Sequence, residues 1–83
     1  MTESDLKSSF AEANTTFTKT MDQVVGDHLK YIDLLGNHVA PSTARLKVYE
    51  SKTAVLKTLS DANSIRAKAN KAALDEFNRT SST

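Results

Sequence analysis

The chain has 83 residues, of which 39% are hydrophobic and 25% are charged, and it contains no cysteine. This length allows one small domain, and the composition is typical of a folded chain rather than a disordered tail. Without cysteine, disulfide frameworks, thiolate nucleophiles and cysteine-based zinc sites are excluded. The chain has only two glycines and one proline, which are too few turn-forming residues for a multi-stranded sheet. The sequence therefore predicts an all-α fold.

The formal net charge of +1 conceals an uneven distribution. Residues 1–40 carry three basic and six acidic side chains, whereas residues 41–83 carry eight basic and four acidic ones. The first half therefore has a net charge of −3 and the second half of +4. We expect an acidic segment to lie against a basic one.

An apolar stripe with helical spacing runs through the first half. Its positions recur every three or four residues and repeat after eleven, which favours a straight or slightly right-handed helix. With Ser4 as N-cap and Gly36-Asn37 as C-cap, this helix is expected at about 4–36. Gly26, in mid-helix, is interpreted as a point of close packing. The stripe consists of Leu6, Phe10, Ala13, Phe17, Met21, Val24, His28, Ile32, Leu35 and Val39.

The second half restarts a helical pattern after Pro41, with Ser42 or Thr43 as the expected N-cap. Its stripe consists of Val48, Lys52, Val55, Leu59, Ala62, Arg66, Ala69, Ala73 and Phe77. The predicted segments are a turn at about 37–42, a helix at about 43–78 and a mobile tail at 79–83.

Together the two stripes predict an antiparallel two-helix hairpin, coiled-coil-like, that forms a single domain over residues 1–83. Folding the chain at 39–41 places large residues against small ones, such as Phe17 against Ala62. His28, the polar break in the first stripe, is then expected opposite Lys52, a polar break in the second. A fold of three helices is the alternative.

A two-helix hairpin of this size has little core and leaves apolar surface exposed near its turn. Either the stripe is simply broad there, or this surface contacts another subunit or a partner protein. We favour the contact. The expected partner interface consists of Val25, Leu29, Tyr31, Leu34, Leu46, Tyr49 and Leu56.

Residue patterns that carry catalysis are missing from the sequence. His28 and His38 stand ten residues apart, without the spacing of a zinc-binding pair, and neither a phosphate-binding glycine loop nor a nucleophile elbow occurs. We therefore expect no enzymatic activity, no cofactor, no metal ion and no small-molecule substrate. His28 is expected to be hydrogen-bonded between the helices, and His38 to be a solvated or capping residue by the turn.

Three lysines in the second half, Lys57, Lys68 and Lys71, are a candidate polar surface that faces anions. Asp61 and Asp75 are expected on the same face, and no aromatic residue is interleaved for base stacking. This pattern favours a solvated face over a nucleic-acid site.

The second half resembles the subunits of type III secretion needles, which are short helical hairpins that polymerise into a hollow tube. The matching residues are Pro41-Ser42, Tyr49-Glu50-Ser51-Lys52, Ala62-Asn63-Ser64, Lys68, Lys71 and Phe77-Asn78-Arg79. The family's second turn proline and its N-terminal tryptophan have no counterpart here. The resemblance implies a secreted, polymerising subunit with polar residues of the second helix facing the lumen.

These observations favour a non-enzymatic structural subunit that acts by helix packing in a homo-oligomer or a larger assembly, such as a secretion filament or a virion or phage component. The alternatives are a small regulatory or adaptor protein that binds a partner helix and, less favoured, a nucleic-acid-binding hairpin. The N-terminus is polar and acidic, unlike a signal peptide, and no apolar run approaches the roughly 18 residues that cross a bilayer. We expect no membrane insertion, and a location in the cytoplasm, in a virion, or outside the cell by a non-Sec route.

Overall fold

The computed structural model describes residues 1–81 and consists of two α-helices, α1 (Glu3–His38) and α2 (Pro41–Ser81). The helices pack side by side and antiparallel, which confirms the predicted hairpin. Its Cα positions extend over 65 × 16 × 7 Å, with a radius of gyration of 18.8 Å. A compact domain of this length would have a radius of gyration of about 12 Å. The molecule is a flat rod, one helix thick and two helices wide.

A capping box begins α1 at Thr2, not at the predicted Ser4. The Thr2 backbone N–H donates to Asp5 Oδ2 at 2.9 Å, and the Asp5 backbone N–H donates to Thr2 Oγ1 at 3.1 Å. This reciprocal pair needs an acidic or amide side chain three residues after the cap. Thr2 has one in Asp5, whereas three residues after Ser4 comes Lys7.

The turn is shorter than predicted. α1 continues through Gly36 to His38 and ends at Val39, whose backbone N–H donates to the Leu35 carbonyl at 3.2 Å. The predicted C-cap at Gly36-Asn37 is wrong, because no described residue adopts the positive φ on which a glycine cap relies. The predicted N-caps Ser42 and Thr43 are also wrong, because they lie inside α2. Pro41 is its first residue, a position where the missing proline N–H costs nothing.

Helix α2 extends to Ser81, three residues past the expected end of the helix. Residues 79–81, expected in a mobile tail, are therefore helical, and the rest of that tail, residues 82–83, lies outside the described residues. The Met1 amino group donates to Thr80 Oγ1 at 3.1 Å. This hydrogen bond joins the two ends of the hairpin opposite the turn.

Every position of the predicted α1 stripe is buried or half-buried. The α2 stripe differs from its prediction at two places: Lys52 and Ala69 are exposed, whereas Ser51 and Asn70 are half-buried. The observed α2 positions repeat after eleven residues, as in α1. Apart from Glu76 and Thr80 near its end, the buried or half-buried positions on α2 form three such rows: Ala44, Val55, Arg66 and Phe77; Val48, Leu59 and Asn70; Ser51, Ala62 and Ala73.

Polar contacts fix the alignment of the helices. His28 Nδ1 lies 2.6 Å from Ser51 Oγ, so the expected pairing of His28 with Lys52 is wrong by one residue. Further from the turn, the guanidinium carbon of Arg66 lies 4.1 Å from the centre of the Phe17 ring, a cation–π contact. Gly26 is not a close-packing point, since no side chain beyond its two chain neighbours and no atom of the other helix lies within 4 Å of where its Cβ would be.

The hairpin has almost no core. Within the described residues, only Leu35 (7% exposed) and Ala73 (8%) are buried. The accessible surface is 6228 Å², whereas a compact monomer of 9.1 kDa would expose about 4,900 Å². The excess surface is a direct consequence of packing two helices along one stripe each.

Candidate protein interface

All seven side chains of the expected partner interface are exposed in the lone hairpin. Their exposed fractions are 37% for Val25, 57% for Leu29, 38% for Tyr31, 58% for Leu34, 60% for Leu46, 69% for Tyr49 and 57% for Leu56. The structure therefore places these residues on the surface, where they are free to contact a partner. They do not form a single patch, because the helical spacing distributes them over both sides and the outer edges of the rod.

Three further large apolar side chains are exposed far from the turn: Met1 at 38%, Ile65 at 67% and Leu74 at 43%. The sequence reasoning considered surplus apolar residues only near the turn and therefore missed Met1 and Ile65 as candidates. Ile65 belongs to none of the three eleven-residue rows that are buried or half-buried on α2, so a strict repeat would have marked it as exposed.

A groove runs between the helices in the half of the rod that lies away from the turn. It has a volume of about 530 Å³. Small side chains form most of its walls, and Phe17 and Ile65 are the largest apolar residues in it. The lining residues are Met1, Ser9, Glu12, Ala13, Thr16, Phe17, Thr20, Ala62, Ile65, Arg66, Ala69, Ala72, Ala73 and Glu76.

A second, smaller groove of about 250 Å³ lies nearer the turn. Its walls include the His28–Ser51 pair and Asp27, together with Val24, Ala54, Val55 and Thr58. The eleven-residue spacing relates its residues to those of the large groove: Ala54 to Ile65, and Thr58 to Ala69. Both grooves therefore open on one side of the rod, which we call the groove face.

Acidic residues dominate the groove face. Glu12 and Glu76 line the large groove and Asp27 lines the small one. The eleven-residue spacing places more charged residues there, because they stand one or two repeats from a lining residue. These are the acidic Asp5, Glu50 and Asp61 and the basic Lys47. Six acidic side chains thus share this face with one lysine, in addition to Arg66 at the helix contact.

The outward surface of α2 has the opposite charge. We call it the α2 ridge; its side chains are exposed, and none lines a groove or stands one or two eleven-residue repeats from a lining residue. Its charged members are Arg45, Lys52, Lys57, Lys68, Lys71, Arg79 and Asp75, and its large apolar members are Leu46, Tyr49, Leu56 and Leu74. Six basic side chains and one acidic one therefore stand on this surface.

The three candidate lysines all lie on the α2 ridge. Lys71 Nζ is 2.6 Å from Asp75 Oδ2, one turn along the same helix. Among the described residues, no carboxylate lies within ion-pair distance of Lys57 or Lys68. Asp61, expected to share their face, lies one helical turn from Lys57, at the border between the α2 ridge and the groove face. Of these three lysines, Lys57 and Lys68 are therefore the two whose charges are available for an ion pair with a partner.

Two carboxyl groups have lowered pKa values. Hydrogen bonds from Thr2 hold the pKa of Asp5 below its ordinary value of 3.8. A hydrogen bond from Arg79 lowers the pKa of Glu76, and the same contact raises the pKa of Arg79. Both sites are solvent-exposed helix-terminal pairs, and both keep their carboxylates ionised at neutral pH.

The described residues contain no group of three or more histidine, aspartate or glutamate side chains arranged to hold a metal ion. Within the same residues, neither helix has an apolar stretch that would let it traverse a bilayer. Comparison of the chain with protein-family models, with curated proteins and with solved structures finds no match.

Proposed function

We propose that this chain is a non-enzymatic structural subunit that associates with copies of itself by helix packing, as in a secretion filament or a virion or phage component. The observation that carries the proposal is the near-absence of a core. Only Leu35 and Ala73 are buried within residues 1–81, while ten large apolar side chains are exposed. Such a hairpin gains its missing burial from neighbouring subunits.

The surface area supports the same proposal. The hairpin exposes 6228 Å², roughly 1,300 Å² more than a compact monomer of its mass. A standard protein interface buries about 800 Å² on each partner. One or two such interfaces per subunit would return the chain to an ordinary ratio of surface to mass.

A concentration series tests the proposal. Sedimentation equilibrium of the purified chain is expected to give an average mass that rises well above the 9.1 kDa of one chain as concentration increases. A stable, folded monomer over the whole range would refute it. Negative-stain microscopy of the concentrated sample then separates a filament from a closed ring.

The second candidate is a small adaptor that binds one helix of another protein, because the open groove of about 530 Å³ has walls of small side chains that admit a helix. An adaptor would stay monomeric alone and form a discrete complex with its partner. The same sedimentation series therefore separates the two functions.

A further inference from the structure

We propose that the acidic groove face of one copy receives the basic α2 ridge of a second copy. This inference rests on the proposed self-association and names the two surfaces that meet. A single helix fits a groove between two others when its large side chains enter among small ones.

Shape is the first argument. The large groove is walled mainly by alanine, serine and threonine, whereas the ridge presents Tyr49 and Leu56, exposed at 69% and 57%. Neither of these side chains lines a groove of its own copy. Small walls on one surface and large projections on the other are the arrangement that interdigitating helices require.

Charge is the second argument. The groove face carries six acidic side chains against one lysine and Arg66, and the ridge carries six basic side chains and one aspartate. Among the described residues, Glu12, Asp27 and Asp61 make no ion pair within their own chain, and neither do Lys57 and Lys68. Complementary charge of this kind fixes the orientation of partners and excludes pairing of like surfaces.

The repeat is the third argument. Glu50 and Asp61 stand eleven residues apart on the groove face, as do Lys57 and Lys68 on the ridge. This interval is about 16 Å along a helix. Both surfaces repeat at the same interval. An alignment of two copies that pairs one lysine of the ridge with one carboxylate of the groove face therefore also pairs the lysine and the carboxylate eleven residues further on.

Groove and ridge are different surfaces of one chain, so each docked copy keeps one free groove and one free ridge. Such a contact is heterologous, and it continues into a filament or closes into a ring. A two-fold dimer would instead place the same surface on both sides.

A mixing experiment tests the pairing. Ala69→Trp fills the groove, and Leu56→Asp puts a negative charge on the ridge where it meets an acidic face. Ala69 and Leu56 are both exposed, so far-UV circular dichroism is expected to match the wild type. Each variant alone is expected to stay at 9.1 kDa. Mixed, they are expected to form a one-to-one heterodimer, since each supplies the surface that the other lacks.

Matched controls accompany both variants. Ala11→Trp makes the same change at an exposed alanine of α1 that lines neither groove. Ser8→Asp adds the same negative charge at an exposed residue of α1 that lines neither groove and lies outside the expected partner interface. Both controls are expected to associate like the wild type. If Ala69→Trp fails to fold, Ala72→Trp, at another exposed lining residue, replaces it.

The outcomes separate the two proposals. A wild-type chain that remains monomeric refutes the assembly function and the pairing with it. A wild type that associates, while the mixed variants stay monomeric, retains the function and overturns the pairing of groove with ridge. Loss of association in Ser8→Asp equal to that in Leu56→Asp overturns the pairing as well.

Discussion

His28 Nδ1 and Ser51 Oγ lie 2.6 Å apart in the half-buried contact between the helices. This hydrogen bond sets the register of the hairpin, because residues equally distant from it on α1 and α2 lie level with one another. Leu56, five residues after Ser51, is level with Gln23, five residues before His28. The pair therefore aligns the two helices at a polar position within a stripe that is otherwise largely apolar.

Replacing Ser51 with alanine removes one partner of this pair. Ser51→Ala is expected to lower the free energy of unfolding by about 1 kcal/mol, since the half-buried imidazole loses its hydrogen bond. Urea denaturation measures the change. Ser60→Ala, at an exposed α2 position, serves as control and is expected to have little effect. Equal losses in both variants would show that the His28 contact contributes nothing.

Asn70 occupies a stripe position where Leu59 and Val48 stand one and two repeats earlier. Its buried Oδ1 has no hydrogen-bond partner among the described residues, an arrangement that costs about 1–3 kcal/mol. Asn70→Leu is therefore expected to raise the thermal midpoint. A lower midpoint, measured by circular dichroism, would mean that the amide is satisfied in solution.

Gly26 lies within α1, with open space where a side chain would project. Gly26→Ala is expected to stabilise the hairpin by about 1 kcal/mol, because alanine loses less backbone entropy in a helix. Ala11→Gly, the reverse change at an exposed α1 position, should destabilise by a similar amount. A destabilised Gly26→Ala variant would reveal that this glycine is needed in a contact with another subunit.

Acid should weaken the start of α1. The pKa of Asp5 is lower in the folded chain than its ordinary value of 3.8, so the unfolded chain takes up this proton more readily. The stabilisation is complete above that ordinary value and is lost as pH falls through the lowered one. Asp5→Asn is expected to be less stable than wild type at neutral pH, with the difference shrinking as the pH falls below 3.8. A difference that stays constant with pH would contradict the capping role.

Salt should weaken self-association. If the acidic groove face and the basic ridge meet, raising sodium chloride from about 0.05 to about 0.5 M is expected to lower the association constant, because exposed charges are screened. Sedimentation equilibrium at each concentration measures it. Lys57→Glu with Lys68→Glu should associate more weakly than wild type at low salt. Association that strengthens with salt would indicate an apolar contact instead.

The hairpin could be predicted because apolar periodicity depends on sequence alone. Every position of the α1 stripe is at least half-buried as expected. Both α2 errors depart from the repeat, because eleven residues before Ala62 stands Ser51, not Lys52, and eleven residues after Leu59 stands Asn70, not Ala69. A strict eleven-residue repeat would have found both.

The helix ends could be predicted only in part. Thr2 and Asp5 have the spacing of a capping box, which the choice of Ser4 overlooked. The continuation of α1 through Gly36 could not be read from sequence, since glycine is compatible with both a cap and a helix interior. The grooves also could not be foreseen, because their volumes depend on how closely the two backbones approach.

Because both helices share the eleven-residue repeat, the hairpin can change length in whole repeats. Removing eleven residues from each helix at matching levels would shorten the rod by about 16 Å while every remaining side chain kept its face. The same operation in reverse would lengthen it. The rod is 65 Å long from the turn to the joined ends. Its length can thus be changed in steps of three helical turns without altering which residues form each surface.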